Sequence, residues 1–116
     1  MLIESTISKS ENIKLPKLTL PNQSTYEGEW QDGQRSGQGQ QIWTDGTEYH
    51  GSWRFDKATG VGHLTFSSGD YYQGNFFQNK ADGYGEFTRM NKLYYMGQFK
   101  DGVPHGKGKE KWCDGK

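Results

Sequence analysis

The chain has 116 residues with 14 basic and 14 acidic side chains, so it carries no formal net charge and lacks the basic excess of a nucleic-acid binder. Leu, Ile, Val and Phe make up only about a sixth of it, too little for a thick two-layer core, yet aromatics reach 15% and fall on a strict lattice that a disordered segment would not have. One cysteine, Cys113, excludes an internal disulfide and a Cys-rich metal site.

Residues 1–17 are polar and charged, without an apolar run of signal-peptide length. Nowhere is there the stretch of about 18 apolar residues that a membrane helix needs. The segment is read as a flexible arm, and the protein is expected to be soluble and cytoplasmic. Asn22-Gln23-Ser24 matches the glycosylation tripeptide, a coincidence in a chain with no secretory signal.

From Tyr26 onward a fixed period governs the chain. Tyr26, Tyr49, Tyr72 and Tyr95 are spaced 23 residues apart, and each is followed by glycine at the third place and by Trp30, Trp53, Phe76 or Phe99 at the fifth. Paired glycines recur at places 12 and 14: Gly37/Gly39, Gly60/Gly62, Gly83/Gly85 and Gly106/Gly108. A period of this size marks identical supersecondary units stacked in a row. The units are 26–48, 49–71, 72–94 and 95–116, and residues 18–25 align with Leu64–Tyr71 as the second half of a worn-down earlier unit.

Places one, three and five share one strand face, as do places 12, 14, 16 and 18. Asp32-Gly33 and Asp101-Gly102 at places seven and eight, and Asp45-Gly46, Ser68-Gly69 and Asp114-Gly115 at places 20 and 21, are turn signals. Each unit is therefore two short strands, and the array an all-β, single-layer, open-ended antiparallel meander of about eight or nine strands. Loops at places 20–22 and 7–10 would set place 18 opposite the next tyrosine and flank each fifth-place ring with glycine: Trp53 between Gly39 and Gly60, Phe76 between Gly62 and Gly83. Rings covering bare backbone account for glycine inside strands. The sheet is expected to curve with its aromatic face concave.

The pattern Tyr26-Glu27-Gly28-Glu29-Trp30-Gln31-Asp32-Gly33, repeated in phase, resembles the MORN (membrane occupation and recognition nexus) repeat. That resemblance implies a groove on the aromatic face that accepts an extended or helical peptide of a partner, in cytoskeletal, ciliary or membrane-contact assemblies. Departures are local. The third unit has Asn91-Lys92 at its turn and Arg89 where the others have Trp43, Phe66 and Trp112, and the second has Phe55-Asp56 where Asp-Gly is expected. Phe55 is either a contact point or folds back on the sheet edge. The chain stops just short of a fifth tyrosine, which leaves an open edge suited to homodimerisation or to a longer native polypeptide.

Catalysis needs converging polar groups. His50, His63 and His105 fall at places 2, 15 and 11, so two lie on the non-aromatic face and one in a turn, far apart along the array. The stretch Gly33–Gly39 lacks the Lys-Ser/Thr ending and following helix of a phosphate loop. No metal, cofactor or enzymatic activity is expected.

The chain is read as a protein-binding scaffold whose groove is lined by Tyr26, Trp30, Tyr49, Trp53, Leu64, Phe66, Tyr72, Phe76, Phe87, Arg89, Tyr95 and Phe99, since aromatics are common interface anchors. Alternatively these rings are simply the thin core. A second reading gives weak anionic-membrane contact to Lys100, Lys107, Lys109 and Lys111. A third, implied by the resemblance, makes the chain the targeting part of a longer enzyme.

Overall fold

The computed structural model describes residues 11–90 and 93–112. Nine strands follow one another: β1 (Ile13–Thr19), β2 (Thr25–Gln31), β3 (Gln34–Ile42), β4 (Glu48–Arg54), β5 (Lys57–Thr65), β6 (Tyr71–Phe77), β7 (Lys80–Thr88), β8 (Leu93–Lys100) and β9 (Val103–Trp112). They form a single sheet in chain order, every neighbouring pair antiparallel. The array measures 67 × 30 × 19 Å.

Strand pairing begins earlier than the 17-residue arm allowed. Ile13, Lys14 and Leu15 pair with Trp30, Glu29 and Gly28 before the register shifts, and Leu18 then faces Tyr26. Pro16 lies within that irregularity, on an edge strand, where its missing N–H costs no ladder bond. Residues 1–10 of the arm, Asn91-Lys92, Cys113 and the Asp114-Gly115 turn lie outside the described residues. The loop before β2 has the same bond as those between units: Leu20 N–H donates to Ser24 O at 2.8 Å, as Trp43 does to Thr47 O and Phe66 to Asp70 O, also at 2.8 Å.

The ladder differs from the expected one by two residues while keeping its parity. Place 16, not 18, faces each tyrosine: Gln41 faces Tyr49, Leu64 faces Tyr72 and Phe87 faces Tyr95. The fifth-place rings face Gly37 and Ala58 for Trp53, and Gly60 and Ala81 for Phe76. The shift between units comes from the connecting loop, centred on place 20 rather than 21, as the Ile42–Glu48 and Thr65–Tyr71 pairs require, and the fifth-place partner within a unit is set by the hairpin tip. Places seven and eight alone form the loop, with both residues at positive φ: 52° and 80° at Asp32-Gly33, 50° and 70° at Phe55-Asp56, 48° and 75° at Gln78-Asn79, 52° and 87° at Asp101-Gly102. Two such residues make a type I′ turn, whose twist matches that of the strands. The surplus length is taken up by a bulge around place 12, where Gly60 sits at φ 101°.

Glycines face glycines. Gly28, Gly39, Gly51, Gly62, Gly74, Gly85, Gly97 and Gly108 form one unbroken row across β2–β9. A β-carbon on Gly39, Gly62, Gly85 or Gly108 would strike the ring of Tyr26, Tyr49, Tyr72 or Tyr95. The tyrosine, not the fifth-place aromatic, is therefore the ring seated on bare backbone, and its hydroxyl donates to a main-chain carbonyl three residues on: Glu29 O at 2.8 Å, Ser52 O at 2.8 Å, Asn75 O at 2.9 Å and Gln98 O at 3.2 Å.

These seats order the rings into a zigzag. Trp30, Tyr26, Trp53, Tyr49, Phe76, Tyr72, Phe99 and Tyr95 meet edge to face in that sequence, centroids 4.8–5.4 Å apart and planes at 79–89°. Each edge-to-face pair adds about 0.5–1.5 kcal/mol beyond area burial. The file of rings is the core that the sparse aliphatics could not build, with Tyr26, Tyr49, Tyr72, Trp53, Phe76, Phe99 and Ala58 buried.

Candidate functional site

Hollows recur along the aromatic face at repeat spacing. One, of about 500 Å³, is floored by the buried Tyr49, Trp53, Phe76 and Ala58 and walled by Trp43, Leu64 and Phe66, with Asn79 at one end and Thr44, Asp45 and Thr47 at the other. One unit earlier a hollow of about 390 Å³ lies among Leu20, Pro21, Asn22, Trp30, Gly33, Arg35 and Asp56. A smaller one, of about 210 Å³, is bounded by Phe87, Arg89, Tyr95, Phe99, Gly102, Pro104 and Glu110.

Place 10 distinguishes these hollows. In the first unit it is Arg35, whose guanidinium lies 4.5 Å over the Trp53 ring, binds Asp56 through Nε at 2.7 Å and donates to Gln41 Oε1. Gln41 is itself buried, donating to Ser24 Oγ at 3.0 Å. In the second unit place 10 is Ala58, whose methyl leaves the space over Phe76 and Leu64 open. The polar network of the first unit is thus replaced by an apolar groove in the next.

The hairpin tips lock neighbouring units. Asp56 N–H donates to Arg35 O at 3.1 Å while Asp56 Oδ1 accepts from Arg35 N–H at 3.1 Å. Asn79 repeats the clasp on Ala58, at 2.9 Å in both directions, and Gly102 N–H donates to Ala81 O at 2.9 Å. The Arg35 guanidinium beside Asp56 holds its carboxyl below the usual range. Burial pushes the Tyr26 and Tyr72 hydroxyls up to about 12 and raises Tyr49 as well. Such shifts accompany the neutral, hydrogen-bonded phenols of a core.

Of the residues read as groove-lining from sequence, Tyr26, Tyr49, Tyr72, Trp53, Phe76 and Phe99 are buried. Trp30, Leu64, Phe87 and Tyr95 are half-buried, and Phe66 and Arg89 are exposed. The structure brings Tyr49, Trp53, Leu64, Phe66 and Phe76 into one groove, and Phe87, Arg89, Tyr95 and Phe99 into another. Arg89 lies 5.9 Å over the Phe87 ring. Sequence reasoning missed Trp43 as a wall and place 10 as the gate, because place 10 had been assigned to a turn. The succession Arg35, Ala58, Ala81, Pro104 at that place is the signal, readable once the two-residue tip is known.

Lys100, Lys107, Lys109 and Lys111 are exposed on β8 and β9. Phe55 is 65% exposed at its hairpin tip, the Arg54 guanidinium 5.4 Å over its ring. The histidines are placed differently than expected: His105 belongs to β9, and His50 and His63 are direct cross-strand partners. Among the described residues no three His, Cys, Asp or Glu side chains converge on a metal position, and no helix could cross a membrane.

The family model of the MORN repeat matches residues 26–48, 49–71, 72–92 and 95–116. No curated protein matches the chain.

Proposed function

Because the chain belongs to the MORN repeat family, a family of repeat scaffolds and binding modules, we propose that it is a non-catalytic scaffold that takes an apolar peptide segment into the groove centred on its second unit. The observation that carries this reading is the groove itself: about 500 Å³ of mostly apolar space, floored by rigid buried rings and rimmed by Phe66, which is 39% exposed. A rigid aromatic floor with half-buried walls is the form in which interface anchors are usually received. Asp45, Thr44 and Asn79 at the ends supply polar groups for the peptide's main chain.

Selection from a displayed random-peptide library, with parent and Phe66→Glu protein as baits, tests it. Peptides sharing one or two large apolar residues, retained by the parent and lost by the variant, are the expected result. Peptides that hold both proteins equally would remove the groove from the account.

A second reading rests on the hairpin tips. Arg54 pairs with Lys57, Phe77 with Lys80 and Lys100 with Val103 on successive hairpins, and Phe55, Phe77 and Val103 are 65%, 56% and 57% exposed. Cations and exposed apolar side chains along one edge suit an anionic lipid surface, where each basic residue contributes about 1 kcal/mol. Sedimentation with phosphatidylserine vesicles, comparing parent with Lys80→Glu/Lys100→Glu, separates this edge from the lysines of β9. Retention of vesicle binding in the double variant would exclude it.

A further inference from the structure

The face opposite the aromatic groove carries a pair of histidines that the scaffold reading does not use. His50 on β4 and His63 on β5 are direct partners in the ladder, and both line one hollow of about 280 Å³ together with Gln38 and Gln73. Directly opposite side chains on antiparallel strands have Cβ atoms about 4.5–5.5 Å apart. Two imidazole nitrogens on a tetrahedral cation, with bonds of about 2.0–2.1 Å, stand about 3.3 Å apart.

Each ring is held by a neighbour. The Glu48 carboxylate, two residues before His50 on the same face, lies 3.5 Å from His50 Nε2. The His63 ring packs against the ring of Tyr71, centroids 5.1 Å apart and planes tilted by 31°. A carboxylate on one imidazole nitrogen favours the tautomer whose other nitrogen is bare and free to bind a metal, the usual support of a histidine ligand.

We propose that His50 and His63 form a two-imidazole binding site for a borderline divalent cation of the copper, nickel or zinc class. Imidazole suits these ions, whereas magnesium and calcium demand oxygen ligands. No third His, Cys, Asp or Glu converges with the pair among the described residues, so the chain supplies two nitrogens and water completes the shell. Affinity follows the order in which copper(II) exceeds nickel(II) and zinc(II). A cation clamped across β4 and β5 ties the two strands that carry Trp53, Ala58 and Leu64, and so stiffens the sheet beneath the groove.

Calorimetric titration of the full chain with CuCl₂, NiCl₂, ZnCl₂ and MgCl₂, with imidazole signals followed by NMR, tests the site. One ion per chain is expected for the first three and none for magnesium. Binding should be lost in His50→Gln and in His63→Gln, weakened about 10-fold in Glu48→Gln, and kept in His105→Gln and Cys113→Ser. Unchanged circular dichroism and melting of the apo variants separate lost ligands from lost fold. Absence of saturable binding, binding that survives either single histidine variant, or binding lost in Cys113→Ser would overturn the proposal.

Discussion

The ring of Tyr49 occupies the space that a side chain on Gly62 would need: a β-carbon there would stand 2.5 Å from Tyr49 Cε1. The two residues lie on adjacent strands, Gly62 facing Gly51, two residues after the tyrosine. The contact recurs for Tyr26, Tyr72 and Tyr95 over Gly39, Gly85 and Gly108. It converts a row of glycines into the bed of the core.

Gly62→Val should therefore cost about 2–4 kcal/mol, because Tyr49 is only 1% exposed and has nowhere to retreat. Gly33→Asn is the control. Its φ is 80° with nothing near the absent side chain, and Asn79 holds the equivalent place at φ 75°, so the change should stay within about 0.5 kcal/mol. Chemical unfolding of both variants checks the pair.

Trp53 Nε1 donates to Gly39 O at 3.2 Å and its ring carries the Arg35 guanidinium, whereas Trp30 Nε1 is buried without an acceptor among the described residues. Trp53→Phe should cost about 2 kcal/mol, summing a lost hydrogen bond, a lost cation–π contact and some packing. Trp30→Phe, which removes an unsatisfied donor and reproduces the residue at Phe76 and Phe99, should change stability by less than about 1 kcal/mol. Urea midpoints of the two variants should differ accordingly.

Asp56 clasps Arg35 as Asn79 clasps Ala58. Asp56→Asn keeps the main-chain bond and loses only a partly exposed ion pair, a cost below about 1 kcal/mol. Asp56→Ala loses both and places alanine at φ 70°, raising the cost to about 2 kcal/mol. Thermal melting of the two variants should rank them in that order.

Alkaline pH should unfold the array through its core phenols. The folded values for Tyr26 and Tyr72, about 12, exceed the ordinary value of 10.0. Below pH 10 both folded and unfolded states keep their protons and stability is complete. Above it the unfolded state ionises first, so stability falls with pH until the folded values are passed. Denaturant midpoints should stay level to pH 10 and decline from there toward 12, with phenolate absorbance rising in step with unfolding.

The repeat was legible because a tyrosine, a glycine and a ring at alternate positions cannot share a face in any conformation but a strand. Parity survived the error in register for the same reason: a shift of two residues leaves Tyr49, Gly51 and Trp53 on one side. Register itself was not legible. It depends on the centre of each loop: the one between units sits on place 20 rather than 21, and the tip expected over places seven to ten closes on two residues alone, Phe55-Asp56 or Gln78-Asn79, at positive φ. The first strand was hidden by Pro16, and the buried Gln41 by its polar side chain, which is neutralised through Arg35 and Ser24. Ala58 drew no attention because what matters there is the side chain that is missing.

The central claim is that the open place 10 of the second unit makes the groove a binding site. Ala58→Arg with Asn79→Asp transplants the Arg35–Asp56 plug onto the next unit, and the affinity of a selected peptide for this folded double variant tests the claim most directly. Loss of binding with an unchanged melting temperature is the expected result. A plugged protein that binds the peptide as tightly as the parent would contradict it.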